Sequence, residues 1–89
     1  MDGNPRSRDG VLAQEAHGTT VLLRLADGGY YALDDVGAFI WALCDGTHSV
    51  DDLIAAVLAE FDATADVVRA DVKAFLDELA DENLLASAA

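Results

Sequence analysis

Apolar residues recur at two different intervals along this 89-residue chain. Early on they fall at every second position, and later at every third or fourth. Val21, Leu23 and Leu25 alternate with Thr20, Leu22 and Arg24, the spacing of a strand with two distinct faces. Val11 to Ala16 alternates more weakly and predicts a preceding strand, with His17-Gly18 as the tight turn between them. Asp27-Gly28-Gly29 turns the chain again, and the aromatic and aliphatic run Tyr30 to Leu33 predicts a third strand. Three short strands joined by short turns make an antiparallel meander.

After Leu33 the interval lengthens. Val36, Phe39, Ile40 and Leu43 fall at i, i+3, i+4 and i+7, which predicts a helix from about Val36 to Cys44. Asp34 is placed to cap it, Asp35 adds negative charge at its positive end, and Asp45-Gly46 ends it. Ser49-Val50-Asp51-Asp52 reads as a capping box for a second helix presenting Leu53, Ile54, Val57, Leu58 and Phe61. Thr64 or Asp62 caps a third, longer helix with Val68, Val72, Phe75, Leu76 and Leu79 as its stripe, and Asn83-Leu84-Leu85 closes it. A small sheet needs its apolar face covered, and three helices supply the cover. The expected fold is α+β and winged-helix-like, a three-stranded antiparallel sheet followed by three helices. Residues 1–10 are expected to form a disordered tail, 11–85 the domain, and 86–89 a frayed end.

Composition mainly excludes. Eighty-nine residues hold one core. Seventeen acids against five bases give a net charge of -12, so nucleic acid and anionic membranes are poor partners. The N-terminus has no apolar segment of a signal peptide and no run reaches membrane-spanning length, which predicts a cytoplasmic protein. The single cysteine, Cys44, cannot form an internal disulfide or a zinc site alone, and no metal cluster or Gly-rich phosphate loop is visible, so no metal or cofactor is expected. Cys44 with His17 or His48 would be a catalytic pair, but it lies on or beside an apolar stripe and neither histidine has an activating context. An acyl carrier protein is also unsuited: Ser49 sits in His-Ser-Val-Asp, a cap context, behind three strands. No enzyme activity is expected.

The central run carries a family likeness. Gly28, Tyr30, Tyr31, Leu33, Asp34, Gly37, Ala38, Ile40, Trp41, Asp45 and Gly46 stand in the order of the PqqD-like family, with Asp34 in place of the common Asn. Val50, Asp51, Asp52 and Leu53, then Asp71, Val72, Phe75, Leu76 and Leu79, and finally Asn83, Leu84 and Leu85 continue it. The chain thus resembles, over about residues 11–85, the small proteins that recognise leader peptides during maturation of ribosomally made peptides.

That resemblance implies a site. An edge strand offers unpaired backbone groups to which a peptide adds as a further strand. Tyr30, Tyr31, Ala32 and Leu33 would supply the docking edge, and Val68, Asp71, Val72 and Phe75 of the third helix the facing wall. Tyr31 and Leu33 share one face, Tyr30 and Ala32 the other, and Leu33 is expected mainly in the core. Arg69 and Lys73 either form a cationic rim or merely solvate the helix. From the residues alone, one buried and one exposed strand residue is the favoured reading of the two tyrosines, and the resemblance reverses that order. The implied partners are a precursor leader peptide and, by likeness to a discrete lasso-peptide subunit, a leader peptidase and a cyclase. A carrier for a radical-SAM enzyme in pyrroloquinoline quinone biosynthesis is the alternative within the class. A winged-helix DNA-binding protein is the alternative outside it. It would need a basic third helix, where Arg69 and Lys73 face Asp66, Asp71, Asp77, Glu78, Asp81 and Glu82.

Overall fold

A computed structural model of the chain describes residues 4–86. Strands β1 (Val11–Ala16), β2 (Thr19–Arg24) and β3 (Tyr30–Leu33) are followed by helices α1 (Asp35–Leu43), α2 (Val50–Glu60) and α3 (Ala65–Asp81). The α+β arrangement read from the sequence is the one observed. The sheet is antiparallel in the order β1-β2-β3, so β3 is an edge. His17 and Gly18, with φ of 53° and 80°, form the tight reversal between β1 and β2, a backbone that suits the twist of a hairpin.

Register decides which face of the sheet is core. Leu22 lies opposite Ala13 on β1 and Tyr31 on β3, and Thr20 lies opposite Leu33. Leu22 is fully buried and Leu33 nearly so. The more apolar set on the other face, Val21 and Leu23, pairs with Ala32 and Tyr30 and is turned away from the helices. Leu25 falls just past the end of β2 and is exposed. The helices cover the face with fewer apolar residues on β2, because Leu33 and Tyr31 complete it from β3.

Local chemistry sets the helix ends. The Gly37 N–H donates to Asp34 Oδ1 at 2.7 Å, and Gly46 takes a φ of 87° where the chain leaves α1. Ser49 and Asp52 satisfy each other's backbone N–H groups at 3.0 Å each, a complete capping box. Thr64 caps α3 by position only, without a side-chain hydrogen bond. At the far end Asn83 adopts a φ of 58°. Its N–H donates to Ala80 O (3.1 Å) and that of Leu84 to Leu79 O (2.9 Å), the paired bonds of a Schellman motif. Leu79 and Leu84, brought together by that turn, are both fully buried in the core with Leu53, Val72 and Leu76.

The N-terminal segment differs from expectation. Pro5 to Arg8 were expected within a disordered tail; instead they run between the ends of α1 and α3. The Ser7 N–H donates to Cys44 O and that of Arg8 to Leu84 O, while Gly46 and Ala86 donate to Pro5 O and Arg6 O. Helix ends leave carbonyls without intrahelical partners, and this segment supplies donors to Cys44 and Leu84 there. Ala86, expected to fray, is held by the same ladder; residues 1–3 and 87–89 of the two expected ends lie outside the described residues. Among the described residues, no helix is long and apolar enough to cross a membrane, and no group of His, Cys, Asp and Glu could hold a metal ion.

Candidate peptide-binding site

Strand β3 spends only half of its backbone on the sheet. The Arg24 N–H donates to Gly29 O at 2.8 Å, marking positions 24 and 29 as a hydrogen-bonded pair. Such pairs alternate along an antiparallel ladder, so in the observed register 22 with 31 and 20 with 33 are the next two. Tyr31 and Leu33 therefore direct their N–H and C=O groups toward β2. Those of Tyr30 and Ala32 point to the open edge. Among the described residues no strand pairs there.

The side chains divide the other way. Tyr31 is half-buried and Leu33 buried on the helix side, while Tyr30 and Ala32 are exposed on the outer face. The split follows from the period of two and is the one expected from the sequence.

Beyond the end of β3 a cavity of about 340 Å³ opens between α1, the end of α2 and α3. Its floor is apolar: Val36, Ile40, Val57, Phe61, Val68, Val72 and Phe75. Its polar groups are three carboxylates, Asp34, Asp71 and Glu78. Gly37 makes the close approach of α1 and α3 possible. A Cβ there would stand 3.1 Å from Asp34 Oδ1 and 3.3 Å from the Phe75 ring. Helix α3 packs on α2, and α1 on both α2 and the sheet; the cavity lies where the three helices meet.

Of the site residues expected from the sequence, Val68, Asp71, Val72 and Phe75 come together in the cavity wall. Tyr30, Tyr31, Ala32 and Leu33 do not line the cavity; they form the strand edge that leads to it through Asp34. Arg69 and Lys73 do not line the cavity; Arg69 reaches across to Asp51 on α2, 3.7 Å away. Asp34, Gly37 and Glu78 line it without having been singled out as site residues. Glu78 was legible as the i+7 partner of Asp71 on one stripe of α3. Gly37 carried no signal beyond its identity, since its role depends on a ring that arrives from α3.

The electrostatics of this corner are negative. Burial pushes the Tyr31 hydroxyl up to about 12, reinforced by Glu78 beside it and, more weakly, by Glu82 and Asp34. Cys44 is buried at the end of α1, and burial with nearby Asp45 pushes its thiol up to about 11. A thiol held protonated at neutral pH is a poor nucleophile. His48 Nδ1 is engaged elsewhere, 3.1 Å from Leu43 O and 3.3 Å from Asp45 Oδ1.

Comparison with known proteins gives the same frame. The profile of a family described as coenzyme PQQ synthesis protein D (PqqD) matches residues 19–85. A PqqA binding protein of Xanthomonas axonopodis pv. citri (strain 306) is 33% identical over 84 residues, covering 94% of this chain and 91% of that protein. The structure of TbiB1 in complex with the TbiA(beta) leader peptide superposes with a TM-score of 0.83 at 32% identity, covering 94% of this chain and 98% of that one. The PqqD truncation of Methylobacterium extorquens PqqCD is described as a functional, stand-alone recognition element for ribosomally synthesized and post-translationally modified peptides. It gives a TM-score of 0.76 at 27% identity, over 93% of this chain and 88% of that one.

Proposed function

The chain belongs to the PqqD family, and from that membership we propose that it binds the leader segment of a ribosomally made precursor peptide and catalyses no step itself. The leader adds to the open edge of β3 as a fourth strand, and apolar leader side chains enter the cavity beside α3. Main-chain bonds to Tyr30 and Ala32 give affinity, and the cavity gives selectivity. One observation carries the reading: β3, with the backbone of Tyr30 and Ala32 unpaired, leads through Asp34 into a 340 Å³ cavity with an apolar floor.

The bound leader presents its core peptide to separate enzymes in the cytoplasm. In the reading we favour these are the leader peptidase and the ATP-dependent cyclase of a lasso-peptide pathway. The likeness to TbiB1 in complex with the TbiA(beta) leader peptide supports the leader-binding step that such a pathway requires. The likeness to a PqqA binding protein favours the second reading, delivery to a radical-SAM enzyme in pyrroloquinoline quinone biosynthesis. Both rest on the same leader-binding step. DNA binding is disfavoured, because six acids and two bases on and just after α3 oppose entry into a groove of DNA.

Fluorescence anisotropy of the labelled leader encoded beside this chain's gene tests the reading. Saturable binding near micromolar, about 8 kcal/mol, with none to a scrambled leader or a duplex oligonucleotide, is the expected result. Binding to the duplex but not the leader at the same salt would overturn it.

A further inference from the structure

Resting on the leader-binding reading, the charges around the cavity specify the chemistry of the segment it takes. Asp71, Phe75 and Glu78 fall at i, i+4 and i+7 on α3, so two carboxylates bracket an apolar ring, about 10 Å apart along the axis. Asp34 adds a third carboxylate at the α1 rim, with one oxygen already given to the Gly37 N–H. Among the described residues neither Asp71 nor Glu78 enters a salt bridge; Glu78 accepts from the Tyr31 hydroxyl, which leaves it charged and open to a cation.

The five cations of the chain lie elsewhere. Arg6 runs beside Gly46, and Arg8 borders a separate hollow near Asp27. Arg24 is held by Asp27 and Glu82, Arg69 faces Asp51, and Lys73 is not in the cavity wall. Among the described residues no Lys or Arg lines this wall, so a cation carried by a docked peptide meets no competing basic side chain there. An acidic or phosphorylated segment would meet repulsion there.

We propose that the groove selects a leader segment in which a Lys or Arg stands two residues to one or both sides of an apolar side chain. The apolar group enters the cavity against Phe75, and the cations pair with Asp71 and Glu78. Strand geometry allows this: residues i and i+4 of an extended peptide share a face and span about 13 Å. Long basic side chains close the small difference from the carboxylate spacing.

Phage display of random twelve-residue peptides against the full chain is the test. The expected outcome is enrichment of that basic-apolar spacing, with binding that weakens as salt rises. The D71N/E78Q variant should lose the pattern and bind a selected peptide about tenfold more weakly, as removal of two partly exposed ion pairs implies. Asp77→Asn, an exposed change outside the cavity wall, should alter binding less than about twofold. Neutral or acidic winners, an unchanged pattern in D71N/E78Q, or an equal loss in D77N would each overturn the charge rule. In those cases, peptides lost on Ala32→Pro would leave the leader-binding reading standing. If no peptide is enriched, that reading falls and the charge rule falls with it.

Discussion

Gly37 stands where the fold meets the proposed site. In a helix, alanine is worth about 1 kcal/mol more than glycine. Here the added Cβ meets Asp34 Oδ1 at 3.1 Å and Phe75 at 3.3 Å, so the ring must move by a few tenths of an ångström. The two effects oppose each other. Gly37→Ala should therefore leave stability within about 1 kcal/mol of the parent in urea unfolding while weakening leader binding by anisotropy, because Phe75 is displaced at the cavity wall. Titration of single groups supplies a second prediction. Cys44 and Tyr31 hold their protons more tightly folded than unfolded, with values of about 11 and 12 against 9.0 and 10.0. The stability they support is intact below the unfolded values and is lost as pH rises through the folded ones. Urea midpoints measured from pH 7 upward should fall beyond about pH 9, and a C44A/Y31F variant should fall less. A midpoint that stays level to pH 11 would contradict this assignment.

At the scale of elements, β3 does two jobs with alternate residues. Its inward backbone closes the sheet through Tyr31 and Leu33, and its outward backbone at Tyr30 and Ala32 is free to pair. Ala32→Pro removes an N–H that the internal ladder does not use, and proline is tolerated on edge strands for that reason. The variant should keep its far-ultraviolet circular dichroism and lose most leader affinity. Folding intact with affinity undiminished would argue against docking at this edge. How far such features could be read in the sequence depended on distance along the chain. The Ser49–Asp52 box, the Asp34 cap and the left-handed Asn83 are made from neighbours, so their residue types announced them. The core face of β2 did not announce itself: Leu22 is buried because α1 and β3 arrive there, against an alternation that favoured Val21 and Leu23. The segment Pro5–Arg8 left no side-chain pattern, since it is held by main-chain bonds to residues around 45 and 85. Periodicity alone could have placed Arg69 and Lys73 off the Asp71–Phe75–Glu78 stripe. The likeness to a binding family instead drew attention to their charge.

At the scale of the whole molecule, the charge of -12 acts on stability and on partner choice in opposite ways. Like charges crowded on a small domain repel one another, and added salt relieves the repulsion. Raising salt from about 20 to about 200 mM should stabilise the fold by about 1 kcal/mol, or several degrees in Tm. The same change should weaken a basic peptide held against Asp71 and Glu78. A fold that gains stability while its complex loses affinity would separate the two effects in one salt series. Lowering both together would point to ion pairs as the main support of the fold, which the few exposed pairs present do not suggest.

If a leader peptide becomes the fourth strand of this sheet, backbone amide exchange reads the new hydrogen bonds most directly. Residue-resolved exchange of the full chain, with and without saturating leader peptide, should slow specifically at Tyr30 and Ala32. Tyr31 and Leu33, already bonded to β2, should change little. Saturable leader binding that leaves Tyr30 and Ala32 exchanging at their free rates would contradict strand addition at β3.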